Sequence, residues 1–147
     1  MSGTSSPFDE QMQHWLRVRV YYEDTDFTGM VYHANYLRFF ERGRSEFLRD
    51  AGVSHTHLLE RPDPAAFTLT NVDVTYRRAA RIDDELMIRS RYTGTAGAKV
   101  IFEQAALRGN DIIAEANVTA VMIHVDGRPR RPIPEVVAQL DSYVFRA

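Results

Sequence analysis

The chain has 147 residues, a length that suits one domain, and 44% of them are hydrophobic, enough for a real core. A formal net charge of -2 and a pI near 6.2 give no reason to expect a nucleic-acid partner. The absence of cysteine excludes disulfides, thiolate metal sites and a cysteine nucleophile, and fits a reducing compartment. No apolar run nears the roughly 20 residues that span a bilayer, so no stable membrane insertion is expected. The first residues, MSGTSSPFDEQMQ, lack the basic start and apolar run of a signal peptide. The expectation is a cytoplasmic globular domain.

Residues 1–13 are small and polar and read as a flexible N-terminal arm, leaving residues 14–147 as one domain. Residues 14–22 alternate, with Leu16, Val18, Val20 and Tyr22 on one face, which predicts a half-buried strand. Residues 23–31 carry loop chemistry in Asp, Thr and Gly. From 34 to 51, Tyr36, Phe40, Gly43 and Phe47 recur at helical spacing, with Leu37 and Leu48 beside them. Gly43 costs that helix about 1 kcal/mol, which a close approach of its backbone to a sheet would explain. Residues 53–66 read as irregular, with Pro62 and Pro64 as breakers. Four strands follow, over 67–76, 85–93, 99–107 and 111–125, separated in part by a turn at 94–97 and the hairpin dipeptide Gly109-Asn110. A short helix over 135–143 begins behind Pro134. Strand, long helix, four strands and a terminal helix make an α+β domain.

The segment at 21–33, YYEDTDFTGMVYH, places Glu23, Asp24 and Asp26 within four residues at the end of a strand. Such a cluster can be a solvated loop, a hard-cation site or a catalytic carboxylate, although the spacing of a calcium loop is absent. His55 and His57 alternate without a partner cluster and read as loop residues.

Arg19 to Asp26, Gly29, Val31-Tyr32-His33 and Tyr36, followed by Glu41-Arg42, Arg44 and Glu46, form one ordered block. Tyr76, Ala80-Arg81 and Asp83-Asp84 form a second, with Ala79 in place of a proline. Together they resemble the 4-hydroxybenzoyl-CoA thioesterase family, and most closely its YbgC-like branch, which is associated with the Tol-Pal envelope system. The resemblance implies a hotdog fold, an antiparallel five-stranded sheet wrapped around one long central helix. It implies thioester hydrolysis of acyl-CoA without cofactor or metal. Asp26 corresponds to the family's essential carboxylate, acting as nucleophile or through an activated water. The helix start at His33 corresponds to the backbone donor for the thioester oxygen, and the His33 imidazole is a second catalytic candidate. Tyr22, Gly29, Val31 and Tyr32 are expected around the substrate, and Glu23 and Asp24 as supports.

CoA phosphates need cations, and Arg77 and Arg81, with Arg78 between them, are the candidates. Thr70-Asn71 stands where many YbgC-like members carry a basic pair, and the turn at 94–97 lacks a frequent arginine. Two rivals follow: a thioesterase acting on acyl carrier protein, and a non-catalytic acyl-thioester-binding or envelope-system partner protein. Hotdog units expose a strand edge and an apolar sheet face, so a homodimer or homotetramer is expected, with each site built from two chains.

Overall fold

The alternation read from the sequence becomes the inner face of a single sheet. The computed structural model describes residues 6–147. The strands are β1 (His14–Arg19), β2 (Ala65–Tyr76), β3 (Glu85–Ala96), β4 (Lys99–Arg108) and β5 (Asp111–His124). They form one antiparallel sheet in the order β1-β3-β4-β5-β2. Leu86, Ile88, Ser90 and Tyr92 of β3 are buried on it, as are Ala114, Ala116, Val118, Ala120 and Met122 of β5. The opposite face mixes charged and apolar side chains, with Met87, Ile101, Val121 and Ile123 among the apolar ones. The intervening strand positions carry Arg89, Arg91, Glu103 and Glu115, with Arg77 bonded to Glu115 and Arg91 near Glu103.

Helix α1 (His33–Asp50) lies against the inner face, over β1, β3 and β4, in the hotdog arrangement. Its buried stripe is Tyr36, Phe39, Phe40, Gly43, Phe47 and Leu48, whereas Leu37 is largely exposed. The expected stripe of Tyr36, Phe40, Gly43 and Phe47 is buried, and of its two flanking leucines Leu48 joins it while Leu37 turns to solvent. A Cβ at Gly43 would stand 2.7 Å from Ile88 Cγ2 and 2.9 Å from Gln104 Nε2, so the helix backbone does touch the sheet there. Gln104, buried in β4, closes the contact. Its Nε2 donates to the Phe40 carbonyl of α1 at 2.8 Å and to Ser90 Oγ at 2.9 Å.

Two segments differ from expectation. Residues 55–60, read as irregular, form α2 (His55–Glu60), because Ser54 caps it by accepting from the His57 N–H and Leu58 is buried beneath it. The prolines merely end it. Residues 6–13, assigned to the flexible arm, fold back onto the domain, and residues 1–5 lie outside the described residues. Phe8 stacks edge-on to His14 and Phe47, and Asp9 accepts from Gln11, Gln13 and Trp15. One aromatic and one well-placed carboxylate in a polar stretch suffice to anchor it. The chain closes with α3 (Pro134–Asp141), whose first residue is Pro134. Among the described residues no helix is long and apolar enough to cross a membrane.

Gly43→Ala should destabilise the domain. Overpacking costs about 1–3 kcal/mol, and alanine regains only about 1 kcal/mol of helix propensity. Thermal melting should fall by a few degrees, and an unchanged melting point would remove the close contact from the account.

Candidate active site

Between β1 and α1 the chain makes two turns, and each acidic residue has a separate task. Residues 22–24 form one 3-10 turn in which the Asp24 side chain is buried. Asp24 Oδ2 accepts from the Tyr21 N–H at 2.8 Å, and Oδ1 accepts from Asn35 Nδ2 at 2.8 Å. Its carbonyl accepts from the Tyr32 N–H. Asp24 therefore ties the loop to the first turn of α1, a supporting role. Glu23 is exposed on the other side of the loop, beside Arg42 and Glu46.

The second turn carries Asp26. Thr25 bridges Val31, the Asp26 N–H donates to the Met30 carbonyl at 2.8 Å, and the Gly29 N–H returns to the Asp26 carbonyl at 3.1 Å. Gly29 closes this turn at φ +82°, a conformation that glycine adopts without strain. Asp26 Oδ1 accepts from the Thr28 N–H at 2.8 Å and the Thr28 hydroxyl at 2.5 Å. These two bonds hold the Asp26 carboxyl below its usual range, against a smaller opposing effect of burial. Asp26 is thus an ionised, solvent-accessible carboxylate with a fixed orientation.

The turn rests on residues 80–84. Val31 N–H donates to the Ala80 carbonyl at 2.9 Å, Met30 bridges Arg81, and Ile82 N–H donates to the Gly29 carbonyl at 3.0 Å. Asp84 in turn accepts from the Arg81 N–H and from Arg108 Nη1 at 2.8 Å. The second motif block is therefore the cradle of the first.

Asp26 opens into a cleft of about 390 Å³ whose walls include Val31, Tyr32, His33, Tyr36 and Tyr76. Helix α1 starts here, and Tyr32 at its N-cap offers no side-chain acceptor. The N–H groups of a first helical turn lack intrahelical partners and carry positive partial charge. The cleft thus brings together a carboxylate and the start of α1, where the Asn35 N–H is already bonded to the Tyr32 carbonyl at 2.8 Å. Tyr76 donates its hydroxyl to the His33 carbonyl at 3.1 Å, and its ring meets the imidazole edge-on at 5.0 Å. The Tyr36 hydroxyl accepts from the Ala80 N–H, and burial pushes its phenol up, so it stays neutral and structural.

Of the residues singled out by sequence, Asp26, Val31, Tyr32, His33 and Arg77 share this cleft, and Gly29 shapes the turn behind it. Tyr22 and Arg81 do not line it. Tyr22 is 77% exposed on the neighbouring turn, and Arg81 contributes its backbone. Arg77 lines the cleft, but its Nε donates to Glu115 at 2.6 Å, which leaves Arg78 the less committed cation at that wall. Asn35 was missed, although a polar residue beside Tyr36 in a buried stripe is a readable signal.

A second cavity of about 480 Å³ lies between α1, α2 and the outer edge strand β2, with Arg44, Leu48, Phe67, Leu69 and Phe102 among its walls.

The sequence profile described as "Thioesterase-like superfamily" matches residues 20–140. The chain belongs to this superfamily. It is 42% identical over 106 residues to the acyl-CoA thioesterase YbgC of Haemophilus influenzae, covering 72% of this chain and 77% of that one. It is 38% identical over 124 residues to the acyl-CoA thioester hydrolase YbgC of Escherichia coli, covering 83% and 91%. The crystal structure of a probable thioesterase from Bartonella henselae superposes with a TM-score of 0.79 at 41% identity, over 82% of this chain and 99% of that one. The chain is a YbgC-like member of the superfamily and a thioester hydrolase.

Asn35→Ala should strip the buried Asp24 carboxylate of one of its two side-chain hydrogen bonds. A loss of about 1–3 kcal/mol is expected in denaturant unfolding, and a change near zero would show that Asp24 is not the tie.

Proposed function

We propose that this thioesterase hydrolyses acyl-CoA to free acid and CoA, with Asp26 as nucleophile or general base and the start of α1 as oxyanion donor. One observation carries the reading: Asp26, kept ionised by Thr28, shares a cleft with the uncapped first turn of α1. The thioester carbonyl is seated with its oxygen toward the N–H at His33, where charge develops in the transition state. The carboxylate then attacks the carbonyl carbon to form a mixed anhydride that water cleaves, or it takes a proton from the attacking water. In either route the carbon–sulfur bond breaks and the CoA thiol leaves with a proton. The His33 imidazole, braced by Tyr76, is placed to orient water or leaving group. Tyr32 and Val31 flank the carbonyl, and Arg78 is the cation at the cleft wall least committed elsewhere and so available to CoA phosphates, since Arg77 is bonded to Glu115.

We assign the working unit as a dimer, paired through the open edge of β2. Among the described residues that strand pairs only with β5. Its Tyr76 end borders the Asp26 cleft, and its Phe67–Leu69 end borders the second cavity. Antiparallel pairing of two β2 strands about a two-fold axis brings one chain's cleft to the other's cavity. Each site then has a catalytic half from one chain and an acyl half from its partner. Two such dimers would give the homotetramer, and a cysteine-free chain suits the cytoplasm.

One observation favours acyl carrier protein as the thiol carrier. Thr70 and Asn71, where many relatives carry a basic pair, are exposed at the irregularity in the β2–β5 register. Comparing release of free thiol from acyl-CoA and from acyl carrier protein separates the two carriers.

Asp26→Asn should fold normally and lose at least about 100-fold in kcat, and near-native turnover would refute the mechanism. The carboxyl is depressed in the folded protein, so the active ionised form persists as pH falls through the ordinary carboxylate range. Thr28→Val should move the acid limb of kcat/KM upward, and an unmoved limb would detach the Asp26 titration from catalysis. Light scattering should return at least twice the 16.9 kDa chain mass, and a monomer would sink the shared site.

A further inference from the structure

The cavity beside β2 is walled by Leu48, Phe67, Leu69 and Phe102, yet it admits one cation. Arg44 projects from α1 and is half-buried, and its position is imposed by the core. Both Nε2 hydrogens of Gln104 are spent, on the Phe40 carbonyl and on Ser90. Its Oε1 is left to accept from Arg44 Nη1 at 3.0 Å. Among the described residues no carboxylate forms an ion pair with Arg44. Glu41 lines the same cavity, but its Oε2 takes the Ser45 hydroxyl at 2.5 Å. Burial lowers the guanidinium's pKa and the Glu41 charge partly offsets this, while arginine stays charged throughout.

A guanidinium has five N–H donors in a planar fork that matches a carboxylate. A planned hydrogen bond to Gln104 with the rest of the fork unspent is the arrangement of a receptor for an anion. The walls around it suit methylenes, so the complementary ligand is an apolar chain ending in a carboxylate.

We propose that this cavity takes the acyl group and that Arg44 receives a carboxylate at its far end, so that the favoured substrates are monothioesters of dicarboxylic acids. The inference rests on the two-fold reading of the site. Within one chain Arg44 lies eleven residues beyond His33 on α1, about 16 Å along the helix, too far for the same chain's cleft to serve a short acyl group. The hydrolysis is unchanged: water adds to the thioester carbonyl, the CoA thiol leaves, and the distal carboxylate takes no part in bond making.

The test uses the purified full chain with CoA thioesters paired by length, hexanoyl with adipoyl and octanoyl with suberoyl. Wild-type kcat/KM should favour the dicarboxylyl member of each pair by at least about 10-fold, as expected for a buried ionic contact. Arg44→Leu should collapse or invert that ratio, mainly through KM, and Arg44→Lys should keep part of it. A wild-type preference for the plain acyl esters overturns the proposal without any variant, so a misfolded Arg44→Leu does not protect it. An equal loss on both members of a pair, or a variant that elutes as a monomer, also overturns it, because Arg44 would then serve the fold or the subunit contact. No hydrolysis of any thioester would instead sink the proposed function itself.

Discussion

At Gly43 the backbone of α1 lies against Ile88, Ser90 and Gln104 with no room for a methyl group. Gln104 then bonds the helix carbonyl of Phe40 directly. A buried polar side chain is costly unless satisfied, and here both amide hydrogens are, so the contact fixes the helix in one register on the sheet. Everything functional is referenced to that helix. Its first turn borders the Asp26 cleft, and its fourth turn carries Arg44, whose guanidinium the same glutamine positions.

The site is built so that the loop and the helix start cannot move independently. Asp24 and Asn35 join them from inside, and residues 80–84 support the loop from the other side. Asp26 itself stays in contact with water and needs no burial to be oriented, because Thr28 supplies two bonds to one of its oxygens. A carboxylate held in its charged form by hydrogen bonds is a poor proton donor and a ready base or nucleophile. The start of α1 lies beside it in the same cleft.

The open edge of β2 lies between these local devices. A strand edge with unpaired backbone groups invites pairing, and this strand runs from the mouth of one cavity to the mouth of another. The outer face of the sheet makes a different kind of surface. Arg77 pairs with Glu115 and Arg91 lies near Glu103 across it, whereas Arg89 Nε is buried there without a partner.

The sequence by itself determined the strands, the long helix and the acidic loop between β1 and α1. Strict alternation and helical period report which side of an element faces the core, and a contiguous loop motif keeps its residues together whatever the rest of the chain does. Gly43 announced the close contact because a helix tolerates glycine only for a reason. Tertiary structure alone decided the roles that depend on distant partners. Arg77 is drawn to Glu115 across the sheet, Arg81 acts through its backbone, and Gln104 reaches over to aim Arg44. Phe8 and Asp9 anchor a segment whose composition reads as loose. Each of these depends on side chains far apart in sequence. Local pattern records burial and period, whereas the partner of a charge is set by which strands the sheet makes neighbours.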